Sequence, residues 1–241
     1  MEVIPSRTFN YLFIYLDIAF LVVLALILFF NKRRLALLFG LAGAVIYFLV
    51  DYGIFYRLLG TRTVEGASTF WLLLWLSTSY GFTNFAWIWL WLNRDKRTLE
   101  WSLLIVMGWI ATAMLSQNFA GSPVVEISRG TNSYHGVMAL IMFATYAFLF
   151  VQNIRSKQKV HNIPWILAIG LLVQFSWEAV LLVTGIRATG ALPLIVNSFL
   201  ETNMGLPLIY LIHRAVSKRY NEDLSRKAAE PIPEVIINQQ A

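Results

Sequence analysis

Cysteine is absent from the 241 residues, so disulfides, thiolate metal sites and cysteine nucleophiles are excluded. Charge is scarce as well. Asp, Glu, Lys and Arg make up 13% of the chain, against about 25% in an ordinary soluble domain. The sequence also lacks a glycine-rich phosphate loop, an HExxH pair, zinc-ligand spacing, an Asp-rich motif for magnesium diphosphate and any internal repeat. Neither a cofactor nor a metal is therefore expected. What fills the chain is apolar: 58% hydrophobic and 15% aromatic residues. Apolar runs of membrane-spanning length recur to its end, which points to an integral membrane protein and not to a large soluble core. The first run begins near Tyr11 and ends at NKRR. A signal peptide carries its positive charge before the apolar stretch, so this order predicts a retained span.

Seven spans are predicted, near residues 10–30, 35–56, 69–92, 101–118, 135–153, 163–184 and 191–213. The fold class is all-α, a polytopic membrane protein with seven transmembrane helices. It forms one domain over residues 1–217, and residues 218–241 form a polar cytoplasmic tail whose final dozen residues should be disordered. Pro207 lies inside the last span and should kink it or free a carbonyl. The formal charge of +6 does not indicate nucleic acid, because the basic residues sit in short clusters between apolar runs. Alternate loops (NKRR, NRDKR, NIRSKQK and the segment after His213) hold 14 of the 19 Lys and Arg. The other side keeps five: Arg7, Arg57, Arg62, Arg129 and Arg187. The positive-inside rule then puts the N-terminus outside and the C-terminus in the cytoplasm. The membrane is that of a bacterial cytoplasm or of an endoplasmic reticulum.

Four acids interrupt the apolar runs. At about 1.5 Å per residue, Asp17, Asp51, Glu178 and Glu201 lie roughly 20, 24, 22 and 18 Å above the basic ends of their spans. They share one layer between the midplane and the outer leaflet. No equally deep cation is expected, since Arg57, Arg62 and Arg187 lie at or beyond the outer ends. Desolvation and mutual repulsion would then leave some of these carboxyls protonated near neutral pH. A neutral carboxyl beside an ionised one is equipment for acid–base catalysis or for a proton relay. Asp51, Glu201, Glu178 and Asp17 are the candidate catalytic residues.

Their expected neighbours follow from helical spacing. Ser77, Tyr80 and Asn84 share a face of the third span. Gln174 stands one turn before Glu178, where the two could equally form a structural hydrogen-bonded pair, and Asn197 stands one turn before Glu201. Trp177 adjoins Glu178 at depth, and aromatic walls beside carboxylic acids suit a carbocation. Tyr80, Asn84, Gln174, Trp177 and Asn197 are thus the candidate substrate-binding residues. His135 opens the fifth span and is a possible relay group. Trp71 and Trp75 near one end, and Trp89, Trp91 and Trp101 near the other, have the placement of interfacial anchors.

In layout the chain resembles the small seven-helix integral membrane terpene cyclases of meroterpenoid and indole-diterpene pathways. NKRRLALLFGLAGAVIYFLVDYGIFY carries the first part of the resemblance. Asp51 stands there where the family usually shows a Glu after a Trp, and Val50 replaces the Trp. LPLIVNSFLETNMGLPLIYLIHRAVSKRY carries the second, with Glu201 where the family usually shows Asp. The resemblance implies a lipophilic polyprenyl substrate drawn from the bilayer, with membrane lipids and no nucleic acid as partners. It implies protonation of an epoxide or alkene by a carboxylic acid, cyclisation through carbocations and no metal. Asp51 and Glu201 would be the acid and its partner, with Glu178 and Asp17 in support. Two other classes compete on the residues alone: a proton-coupled transporter that uses the carboxylate layer, and a seven-helix receptor or scaffold.

Overall fold

The computed structural model describes residues 6–119, 121, 123–130, 134–156, 160–187 and 191–229. Strand β1 (Ser6–Asn10) leads into helix α1 (Tyr11–Phe30), followed by α2 (Arg34–Phe48). A π-helical segment (Leu49–Leu58) then continues α2 without interruption. After β2 (Arg62–Glu65) come α3 (Thr69–Leu92), α4 (Thr98–Asn118), β3 (Val124–Arg129), α5 (His135–Arg155), α6 (Ile163–Val183), α7 (Ala191–Leu200) and α8 (Leu206–Ala229). Local signals set several of these starts. The Asn10 side chain caps α1 by accepting from the Phe13 amide at 2.7 Å, and Asn162 caps α6 in the same way, with Pro164 in the first turn.

Five helical stretches among the described residues are long and apolar enough to cross a membrane: Tyr11–Phe30, Arg34–Leu58, Thr98–Asn118, His135–Arg155 and Ile163–Val183. Their outward faces expose large apolar side chains, among them Phe30 at 73% and Phe143 at 75%. Patches of that extent are abnormal for a water-facing monomer. α3 is the exception. Rich in Trp, Tyr, Ser and Asn, it is the central helix and is buried on all sides from Ser79 to Leu90. α2 packs against it at backbone distance. A Cβ on Gly43 would lie 2.6 Å from the Gly81 carbonyl oxygen and closer still to the Phe85 ring. Glycine is therefore required at this crossing, as in small-residue helix interfaces generally.

Two departures from the expected layout matter for function. The stretch expected as a seventh span is broken. α7 ends at Leu200, residues 201–205 turn, and α8 begins at Leu206 with Pro207 in its first turn, where proline is tolerated. α8 then runs on to Ala229, while the dozen residues expected to be disordered lie outside the described residues. The second departure is a three-stranded antiparallel sheet of order β1-β3-β2, built from the segment before α1 and two helix connections, where no strand was expected. Its inner face carries Arg7, Phe9, Arg62, Val64, Val125, Ile127 and Arg129, and its outer face Thr8, Thr63, Glu65 and Glu126. The inner face roofs one end of the bundle. At the other end, an Arg33–Asp95 ion pair ties the loop after α1 to the loop after α3.

Three tryptophans expected at membrane surfaces are interior. Trp75, Trp89 and Trp101 are each less than 10% exposed. The indole of Trp75 donates to Asp17, that of Trp101 donates to Asp95, and Trp89 packs on Phe39 and His213. Trp71 is 67% exposed, as an anchor should be.

Candidate active site

The roof places cations where none was expected. Arg62 and Arg129 face one another across β2 and β3, an arrangement of like charges that costs stability unless something neutralises it. Asp51 does so from the π-helical segment. Its Oδ1 lies 2.7 Å from Arg62 Nη2 and 3.4 Å from Arg129 Nη2, and Arg62 Nε donates to it at 2.8 Å. Its Oδ2 accepts from the Tyr80 hydroxyl at 3.0 Å. The wider π-helical turn marks the one stretch of α2 that presents a buried acid, and such turns concentrate at functional positions.

A second clamp stands beside the first. Arg7 of β1 pairs with Arg187 through an isolated antiparallel bridge, and Glu178 of α6 lies between their side chains. Glu178 Oε1 is 3.2 Å from Arg7 Nη2, and its Oε2 is 2.6 Å from Arg187 Nη1. The expectation of uncompensated acids at Asp51 and Glu178 is thus corrected: each is shared by two guanidiniums. Counting residues along the helices treated the connections as ends, whereas strands fold back over the bundle and send arginines inward.

Burial, with the neighbouring guanidiniums of Arg129 and Arg187, pushes Arg7 down to about 10 despite Glu178 and Glu201. Burial likewise lowers Arg62, with Arg129 adding to it and Asp51 opposing. Burial acts against the charge on Arg129 too, but Asp51, Tyr80, Glu201 and Glu178 outweigh it and hold this group above the ordinary arginine range.

Glu201 differs from both clamped acids. It sits in the turn between α7 and α8 and forms no ion pair among the described residues. Its Oε2 accepts from Gln174 Nε2 at 2.8 Å. The same Gln174 nitrogen approaches Glu178 Oε1 at 3.4 Å, and Gln174 Oε1 accepts from Thr202 at 2.8 Å. One amide therefore joins the free acid to a clamped one. Asn203 holds the turn in place: it is fully buried and accepts from the Tyr146 hydroxyl at 2.9 Å. Gly170 of α6 leaves room for it, since a Cβ there would collide with Asn203 Oδ1. Gly170→Ala is expected to displace Asn203 and destabilise the protein by about 1–3 kcal/mol, read as a lower melting temperature in detergent. An unchanged melt would show that the turn does not depend on this contact.

Asp51, Glu201, Tyr80, Gln174 and Trp177 line one cavity of about 190 Å³. Its walls include Tyr47, Phe55 and Phe85, and Trp177 packs on Trp109 with ring centroids 4.8 Å apart. Arg7 and Arg129 form its roof. Ile46, 49% exposed on α2, also lines it, so the cavity reaches sideways towards the apolar surface.

The other four expected site residues stand apart from the cavity. Glu178 lies behind Gln174. Asp17 is fully buried between α1 and α3, where Trp75 Nε1 donates to it at 3.0 Å, and it forms no ion pair among the described residues. Asn84 and Asn197 are buried in the bundle without lining the cavity. His135 begins α5 and does not line it either. The residues that sequence reasoning missed are chiefly the roof arginines. A signal for them existed: Arg7/Phe9, Arg62/Val64 and Val125/Ile127/Arg129 alternate with period two, the pattern of a half-buried strand whose inner face includes an arginine.

Chemically, the arrangement offers one carboxyl free of ion pairing, a tyrosine hydroxyl fixed by a second carboxyl, and aromatic faces around a small space reached from an apolar surface. No family model matches the chain, and none of the curated proteins or solved structures compared with it matches either.

Proposed function

We propose that the chain is a seven-span membrane enzyme, with the sheet end outside and the basic end cytoplasmic, that isomerises a lipophilic polyprenyl substrate by proton transfer and ring closure. The observation that carries this reading is Glu201, the one cavity carboxyl without an ion pair among the described residues, set among aromatic walls. Glu201 donates its proton to an epoxide oxygen or terminal alkene carbon. The resulting cation is attacked by the next double bond and moves along the chain past the faces of Trp177, Tyr47 and Phe85. Loss of a C–H proton to a carboxylate ends the reaction, so the product is an isomer of the substrate and no electrons are exchanged. Asp51 fixes the Tyr80 hydroxyl at the opposite wall and keeps the roof cations in place.

The cavity is smaller than the roughly 300–1,000 Å³ of drug-sized ligand sites. Only one end of a long chain fits, and the rest lies in the sideways opening. The transporter reading draws less support, because two of the three acids around the cavity are held in arginine clamps and cannot easily shuttle protons. The test is incubation of the purified protein in detergent, without any gradient, with a panel of polyprenyl epoxides and alkenes, followed by mass spectrometry and NMR. An isomeric, ring-containing product is expected. Absence of product while known cyclases turn over under the same conditions would overturn the reading.

A further inference from the structure

The roof carries more positive charge than the acids around it neutralise. Arg7, Arg62, Arg129 and Arg187 share two clamped carboxylates, Asp51 and Glu178, while Glu201 forms no ion pair among the described residues. The two arginines that line the cavity also have donors to spare. Arg7 is 1% exposed, yet among the described residues its Nε and Nη1 have no acceptor, and the buried Nε of Arg129 has none. A buried guanidinium N–H without an acceptor is costly, and both residues border the cavity.

We propose that the cavity roof, through Arg7 and Arg129, is a binding site for the oxyanion head of an amphiphile, with a carboxylate as the simplest form. The head takes the unpaired N–H groups and cancels the surplus charge, and its apolar tail lies between the aromatic walls and leaves past Ile46. This rests on the reading of the cavity as a substrate site and narrows it. The substrate would carry an anionic or strongly accepting oxygen at one end, leaving the reacting double bonds lower down, beside Glu201. A guanidinium suits this role because its planar donors engage two oxygens at once.

The test is isothermal titration of the purified protein in neutral detergent with geranate and with its methyl ester, which share a chain and differ in charge. Acetate serves as the small-anion arm. Wild-type protein is expected to prefer geranate at least tenfold over the ester and to bind acetate far more weakly than geranate. Arg129→Gln should bring the preference close to one, and Arg129→Lys should leave it intermediate, because a single ammonium replaces the fork. Equal binding of geranate and ester by wild type, binding of neither, or acetate as tight as geranate would each overturn the inference, and none of these needs a variant to fold. A geranate preference without turnover of any polyprenyl would retain this site and remove the cyclisation reading. Turnover with equal binding would do the reverse.

Discussion

Glu201→Gln is expected to lower the rate of product formation by about 10²–10⁴-fold, the usual contribution of a positioned general acid. Its melting temperature should stay close to that of wild type. The reasons are geometric. The introduced amide could still accept from Gln174 through its oxygen, and no guanidinium loses a counterion, because Glu201 has none among the described residues. Asp51→Asn should behave differently. It would leave Arg62 and Arg129 facing each other with their shared anion gone, so activity and stability should fall together. Product formation and thermal unfolding measured on both variants separate the two roles. A Glu201→Gln protein that turns over at the wild-type rate would remove Glu201 from the chemistry, whatever Asp51→Asn does.

Arg187→Gln is expected to destabilise the protein by about 3–5 kcal/mol, the cost of leaving one partner of a buried ion pair uncompensated. Both side chains of the Arg187–Glu178 pair are under 5% exposed. Glu178 would keep Arg7 at 3.2 Å but lose its closer contact at 2.6 Å. Glu178→Gln should be at least as damaging, since it strips the counterion from two arginines at once. Arg97→Gln is the matched control. The Arg97–Glu100 pair spans 3.9 Å between side chains more than half exposed, and pairs of that kind contribute about 0–1 kcal/mol. Thermal melts in one detergent, with expression yield recorded alongside, provide the comparison. If Arg187→Gln melts with wild type, the roof clamp contributes nothing to stability.

Much of the helical layout was legible because it depends on long apolar runs, which ordinary loops do not have. Asp51 and Glu201 were legible for the opposite reason: a carboxylate in such a run is too costly to be incidental. Both line one cavity beneath the sheet. Depth could not place Asp17, which occupies the same layer but turns towards α3, because residue counts fix height and leave rotation open. The strands escaped notice because they are four to six residues long and sit before the first helix or between helices, where a run of polar residues with a few apolar ones passes for a loop. With them went three of the four arginines, Arg7, Arg62 and Arg129, and so the ion pairing of the site. The break before α8 was half-visible. Pro207 was expected to disturb the helix, but the turn it follows is set by Asn203 wedged against Gly170, a contact between residues far apart in sequence.

β3 is the middle strand of the roof but the last of the three to be made, and β1 and β2 share no hydrogen bonds with each other. As the chain is synthesised, the first strand must therefore wait through four helices before its neighbour exists, and Arg7 must wait still longer, until Glu178 and Arg187 emerge. Asp51 meets Arg62 almost at once, only 11 residues on, whereas Glu178 and Arg7 are 171 apart. The strands of the roof consequently pair only after four helices have been made, and the Arg7–Glu178–Arg187 clamp closes only after α6. Until then the interior is open from above, and the N-terminal residues are left unengaged at the surface. Completion of the site is thus postponed until the turn that carries Glu201 has been made, although Asp51 can meet Arg62 early.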